Sequence, residues 1–302
     1  MKLAFIGLGN MGFPMSHNLV NAGYCVYGVN RSKQREYEFE KVGGLIGKSI
    51  KELANEMDVI MTCLPLPSDV EDVYLGEEGL ISNGKKHLIL IDFSTVSPNL
   101  NKKIHHEASA KNIEFLDAPI SGGTIGAEAG TLSIMVGGAK QTFDQVLPIF
   151  NILGGNVYHL GEVGSGSSIK LINQYMVSAH SQAVSEAFVL AEKAGINLDL
   201  LTEILSVSYA QSKILERHYT NFISINNFQP GFELGLLHKD ITIVNEMAES
   251  YQVDMPLGNK VTELLSEALE SNLGKKDISA MIQLMREKLK QKEGISPQSS
   301  SI

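Results

Sequence analysis

The sequence predicts an α/β doubly wound domain followed by an all-α domain, the two joined by one long interdomain helix. Three observations carry this. Short apolar runs alternate with helix-period segments over residues 1–163, the pattern of a mainly parallel sheet covered by helices. From Gly164 onward no strand-like alternation interrupts the helical pattern. Between the halves, residues 164–195 (GSGSSIKLINQYMVSAHSQAVSEAFVLAEKAG) hold no proline, with glycine only at the start and the end.

Lys2–Ile6 is an apolar run that meets Gly7-Leu8-Gly9-Asn10-Met11-Gly12, and FPMSHNLVNAG then shows helical spacing up to Gly23. Strand, glycine turn and helix give a G-x-G-x-x-G match the context it needs. Gly7 permits the tight turn, Gly9 lets a diphosphate reach the backbone, and Gly12 lets the helix pack on the strand. Leu8, Asn10 and Met11 complete a loop whose ligand sits on the helix N-terminus. This is the dinucleotide signature of a Rossmann domain.

A second strand, YCVYGV, ends at Asn30-Arg31-Ser32, where an acid would hold the adenosine ribose of NAD. No acid stands there. Asn30 can bond a ribose oxygen, while the Arg31 fork and the Ser32 hydroxyl suit a 2′-phosphate. NADP(H) is therefore the expected cofactor, with NAD possible and a plain charged loop as the competing reading of Arg31.

Further strands are expected at 58–64, 87–92 and 113–119. Two more, at 132–138 and 156–161, should flank a helix around Gln141–Phe150 and continue the sheet. Ser68-Asp69-Val70-Glu71 reads as a capping box, and Ser97-Pro98 as an N-cap before proline. Ligands on such sheets gather beyond the carboxyl ends of the strands. That rim collects Leu64 and Pro65 as a cofactor wall, Asp69 as cofactor contact or turn residue, and Thr95 as a hydroxyl for the nicotinamide ribose. It also holds Ser121-Gly122-Gly123, a hydroxyl with unhindered N–H groups suited to a substrate carboxylate.

The long helix should span about 40 Å at ~1.5 Å per residue. Lys170, Asn173 and Gln174 share one face near its start, and the missing side chain of Gly166 leaves room for a ligand or another backbone. A solvated first-turn lysine is the alternative for Lys170. Helical segments follow near 198–206, 210–224, 236–251, 257–271 and 277–290. In the apolar-rich stretch FELGLLHKD (232–240), Lys239 is a second candidate cation and Phe232 could close the nicotinamide end. Lys239-Asp240 could equally be a simple ion pair, and His238 reads as structural.

With 25 Lys+Arg, 34 Asp+Glu and net charge −9, the chain is not expected to bind nucleic acid. No apolar run is long enough for a membrane span and no secretory leader is seen, so a cytoplasmic protein is expected. Cys25 and Cys63 lie in apolar runs and read as buried thiols, and the histidines are scattered without metal-site spacing. The polar stretch from about Glu293 reads as a flexible tail.

Together, FIGLGNMGFPMSHNL, DAPISGGTIGAEAGTLSIMVGG, GSGSSIKLINQ and FELGLLHKD resemble the β-hydroxyacid dehydrogenase family of 3-hydroxyisobutyrate dehydrogenase, tartronate semialdehyde reductase and glyoxylate/succinic semialdehyde reductases, over residues 1–290. The resemblance implies a Rossmann domain at 1–163, a helical substrate and dimerisation domain at 164–292, and an active site in the cleft between them. It implies Lys170 as the catalytic lysine, Asn173 as the substrate asparagine, Ser121-Gly122-Gly123 as the carboxylate loop, and Thr95 and Lys239 as cofactor contacts. A small hydroxyacid or aldehyde acid would be the substrate, with no metal, in a homodimer or homotetramer. Asn30-Arg31-Ser32 resembles the NADP-using members, and Gln174 stands where some members carry the asparagine, as in the tartronate semialdehyde reductase-like branch. The alternatives are a non-catalytic nucleotide-binding or interaction protein that keeps the fold, or a 6-phosphogluconate dehydrogenase-like enzyme.

Overall fold

The computed structural model describes residues 1–293; the tail expected from about Glu293 lies, apart from Glu293, outside them. The chain divides into two compact units, Met1–Leu171 and Ile172 onward.

The first unit runs β1 (Leu3–Ile6), α1 (Gly12–Asn21), β2 (Val26–Val29), α2 (Lys33–Lys41), α3 (Ile50–Glu56), β3 (Val59–Thr62), α4 (Pro67–Leu75), α5 (Leu80–Asn83), β4 (Ile89–Asp92), α6 (Pro98–Ser109) and β5 (Glu114–Asp117). Its five strands are parallel, in the order β2-β1-β3-β4-β5. Every residue of β1, β3 and β4 is buried, as a parallel sheet covered on both faces requires. Leu3, Phe5, Val59 and Met61 pack on one face, and Ala4, Ile6, Ile60 and Leu90 on the other.

The chain continues through β6 (Ile120–Ser121), α7 (Gly123–Ala129), β7 (Leu132–Val136), α8 (Lys140–Leu153) and β8 (Gly154–His159). The strands expected to continue the main sheet instead form a separate three-stranded sheet, β6-β7-β8, with β6 antiparallel to β7. Residues 117–121 run on in one direction, with Asp117 opposite Gly137, Ile120 opposite Ile134 and Ser121 opposite Ser133, so β7 lies antiparallel to this extension of β5. Continuity with β5 is reduced to the single pair Asp117–Gly137.

Three local expectations also change. Helix α4 begins at Pro67 with Leu66 as N-cap, so Ser68 caps nothing; proline at the first helical position moves the start upstream. The capping box belongs to α3, where Ser49 and Glu52 bond reciprocally. Cys25 is exposed and Cys63 half-buried; each lies just outside its strand, Cys25 ahead of Val26 and Cys63 after Thr62. Ser97 does cap α6, accepting from Leu100 N.

Helix α9 (Ser165–Lys193) begins in the first unit, and the division falls inside it, after Leu171 and not at the expected boundary of 163/164. Its first turns are built into the first unit. A Cβ on Gly166 would lie 2.1 Å from the Met135 carbonyl oxygen. The second unit continues with α10 (Leu198–Ser206), α11 (Lys213–His218), a π turn at Tyr219–Ile223, α12 (Leu234–Ser250), α13 (Pro256–Glu270), a short 3-10 turn at Ile278–Ala280 and α14 (Met281–Lys292). The helix expected at 210–224 starts late because Ser212 caps it by accepting from Leu215 N.

Candidate active site

The turn between β1 and α1 is built from backbone. Gly7 adopts φ +97° with the Cys63 carbonyl oxygen 2.3 Å from where a Cβ would stand, a combination open to glycine alone. At Gly12 a Cβ would fall 1.9 Å from the Gly7 oxygen, whereas at Gly9 it would meet nothing within 4 Å. No side chain caps α1. Close packing at both ends, open space at the middle glycine and an uncapped helix start together fit a dinucleotide diphosphate. Leu8 is buried, Met11 half-buried, and Gly9 and Asn10 are exposed.

Beyond β2, the Asn30 Oδ1 accepts from Leu8 N at 3.0 Å, so this side chain braces the glycine loop and its Nδ2 faces Ser32 O at 3.4 Å. An acid missed in sequence also comes to Asn30. Buried Glu36 of α2 accepts from Asn30 N at 2.9 Å and pairs with Lys33 at 2.9 Å, which turns its charge toward protein groups. Arg31 is 82% exposed and pairs with Asp69 at 3.2 Å. Asp69 thus joins the β2 end to the start of α4. Exposed Arg31 and Ser32 leave donors for a phosphate.

On the next strands, Ser94 Oγ accepts from Leu64 N at 2.9 Å, and Asp92 Oδ1 accepts from Ser94 N at 3.0 Å and Thr62 Oγ1 at 2.7 Å. Asp92 and Thr62, which the sequence does not single out, hold with Ser94 the rim segments carrying Leu64 and Thr95. Pro65 is exposed. Ser121 ends β6 and is half-buried, while Gly122 (φ +139°) turns the chain into α7 with Gly123 exposed beside it.

The start of α9 is closed by protein. Buried Asp117 accepts from Gly164 N at 2.7 Å and from Ser167 N at 2.9 Å, and Asn101 Nδ2 donates to Ser167 Oγ at 2.7 Å. Burial pushes the Asp117 carboxyl up to about 6, while the two N–H groups pull it the other way and Asp92 adds to the rise. The room at Gly166 is therefore taken by backbone and not by a ligand. Lys170, just downstream, is 8% exposed, which removes the solvated-lysine reading.

In the second unit, Asn173 Nδ2 donates to Gln174 Oε1 at 3.0 Å, Gln174 Nε2 to Asp240 Oδ2 at 2.6 Å, and Lys239 Nζ lies 3.0 Å from Asp240 Oδ1. Asn173 and Lys239, two of the residues singled out in this half, are thus linked through two side chains without an assigned role, Gln174 and Asp240. Phe232 stands apart from that chain, its N–H donating to Asp277 Oδ2 at 3.1 Å, and Asp277 is held by Arg217. His238 bonds Ser266 Oγ at 2.9 Å and burial lowers its pKa, in keeping with a structural residue.

Among the described residues no group of three or more His, Cys, Asp or Glu could hold a metal ion, and no helix is long and apolar enough to cross a membrane. The family model described as the NAD binding domain of 6-phosphogluconate dehydrogenase matches residues 2–161. A second, described as NAD-binding of NADP-dependent 3-hydroxyisobutyrate dehydrogenase, matches residues 164–285. The 2-hydroxy-3-oxopropionate reductase of Escherichia coli is 34% identical, over 94% of this chain and 97% of that protein. The chain belongs to the β-hydroxyacid dehydrogenase family. The 2-(hydroxymethyl)glutarate dehydrogenase of Eubacterium barkeri is also 34% identical, over 94% of each chain. The solved Mycobacterium tuberculosis 3-hydroxyisobutyrate dehydrogenase with L-serine is 30% identical with a TM-score of 0.86, covering 94% of this chain and 99% of that one. This β-hydroxyacid dehydrogenase is an NAD(P)-dependent oxidoreductase acting on CH–OH groups, and its cofactor is a nicotinamide dinucleotide.

Proposed function

We propose that the enzyme interconverts a small carboxylate-bearing hydroxyacid and its aldehyde acid with NADP(H) preferred, and that Lys170 is the general acid/base. The observation that carries this is the burial of Lys170 at 8% exposure, three residues before Asn173 on one continuous helix. A lysine withdrawn from water without a surface role is a functional candidate.

The reduced nicotinamide, when bound, supplies the hydride for the carbonyl carbon. The glycine loop Gly7–Gly12 with Leu8, Asn10 and Met11 receives the diphosphate, and Arg31, Ser32 and Asn30 serve the adenosine end. Arg31 must exchange Asp69 for the 2′-phosphate. Leu64, Pro65, Thr95, Phe232 and Lys239 serve the rest of the cofactor. The Ser121 hydroxyl with the N–H groups of Gly122 and Gly123 takes the substrate carboxylate. Lys170 gives its proton to the oxygen during reduction and takes it back during oxidation, while Asn173 orients the reacting groups. We assign dinucleotide binding to residues 1–163 and substrate binding and self-association to 164–292, in a cytoplasmic homodimer or homotetramer. Exposed Ile172 and Met176 on α9 support self-association. The relatives' names put 2-hydroxy-3-oxopropionate, 3-hydroxyisobutyrate, 2-(hydroxymethyl)glutarate and L-serine on the substrate panel.

The test is steady-state kinetics on that panel with NADPH/NADP and NADH/NAD, for the native enzyme and Lys170→Ala. Native kcat/KM should be higher with the phosphorylated cofactor. The variant should lose about 10²–10⁴-fold in kcat with NADPH binding unchanged. Equal or better use of NADH would overturn the cofactor preference, and retained turnover the role of Lys170.

A further inference from the structure

The hydrogen bonds in the second unit have a direction. A carboxylate paired with an ammonium only accepts, and Asp240 is 3% exposed with Lys239 Nζ 3.0 Å from one oxygen. Its other oxygen therefore accepts a hydrogen bond from Gln174, whose Nε2 is 2.6 Å away. Gln174, also 3% exposed, must then face Asn173 with Oε1, its acceptor, and Asn173 must answer with Nδ2 at 3.0 Å. The amide inventory permits no other order while Asp240 stays a carboxylate. Asn173 is left with Oδ1 as its acceptor and with the second hydrogen of Nδ2.

We propose that Gln174, clamped by Asp240, is a positioning residue that fixes the orientation of the Asn173 amide and so holds its Oδ1 ready to accept. That oxygen suits a partner that donates, a protonated amine or a hydroxyl. Through it Asn173 serves the proton-transfer end of the reaction. Both helices contribute: α9 brings Asn173 and Gln174 in adjacent positions, and α12 brings Lys239 and Asp240. The same clamp ties Lys239 to the amide pair. This inference rests on the reading of Asn173 given above.

Two variants separate the possibilities. Gln174→Met keeps size and removes both hydrogen bonds. Asp240→Asn keeps shape and lets the amides reverse, because an asparagine can donate to Gln174 Oε1. Both should lower kcat by roughly tenfold or more with KM for the acid substrate within about twofold of native. Gln174→Met should leave NADPH affinity unchanged. Because Gln174 acts through Asn173, adding Gln174→Met to Asn173→Ala should cost little further, a non-additivity that a merely structural residue would not produce. A rise in KM at constant kcat, additive losses in the double variant, or lost thermal stability with native kcat would each overturn the proposal. Should the native enzyme turn over nothing on the panel, the proposed function fails by itself. The clamp is then read from the side-chain amide NMR signals of Asn173, which should shift in both variants; unmoved signals would overturn it.

Discussion

Two helices of the first unit start in the same way on paper and are used in opposite ways. Helix α1 opens on the last glycine of G-x-G-x-x-G and α9 opens within Gly164-Ser165-Gly166, and each needs an anion or acceptors for its first N–H groups. At α1 the site is left open: no side chain caps it and the middle glycine borders empty space. At α9 it is filled from within, by the buried carboxylate of Asp117 on the N–H groups of Gly164 and Ser167. Glycine at α1 makes space for a ligand, and glycine at α9 makes contact with Met135 O and Asp117. A glycine before a helix is therefore a statement about clearance, and what occupies the clearance must be supplied by the fold.

The largest effect expected from this contrast is at Gly166. An alanine Cβ 2.1 Å from a carbonyl oxygen and 2.9 Å from Asp117 Oδ2 has no flexible neighbour to displace. Gly166→Ala should cost several kcal/mol, read as a large fall in Tm or loss of soluble protein, and a native Tm would break the comparison.

The next effect is in pH. Asp117 has its carboxyl pushed up to about 6 by burial from an ordinary 3.8, so between those values the folded chain holds a proton that the unfolded chain releases. Stability from this group is present at low pH and lost as pH rises through that window, by about 3 kcal/mol in all. Asp117→Asn removes the titration. Denaturant unfolding at pH 4 and pH 6.5 should show a smaller decline in the variant, and an unchanged decline would mean that Asp117 is not the group responsible.

The smallest effect sharpens the α1 side. Gly9→Ala adds a methyl group where no atom lies within 4 Å, so Tm should hold while NADPH binding weakens roughly tenfold, about 1.4 kcal/mol. A stability loss without an affinity change would place the open space elsewhere.

Much of the site was legible in sequence wherever its logic is local. Gly7, Gly9 and Gly12 announce their turn because a positive φ and close backbone approach are demands on single residues, and the long helix is visible because nothing in 164–195 breaks it. Lys170 could be singled out, though its burial could not, since exposure depends on what packs over the helix. Other groups left no local mark. Glu36 meets Asn30 only after α2 folds back, Asp117 caps a helix 47 residues away, and Gln174 meets Asp240 across 66 residues. Cys25 was misread because an apolar run does not say at which residue its strand begins, and β2 starts only at Val26.

From sequence alone came the order of strands and helices, the glycine loop and the family, since periodicity, turn chemistry and motif spacing reside in contiguous residues. Tertiary structure alone decided which helix start stays open, that β7 and β8 leave the main sheet, and which acid faces which amide. Those outcomes depend on distances between residues far apart in the chain, and at such contacts a few tenths of an ångström separate a ligand's space from a backbone's.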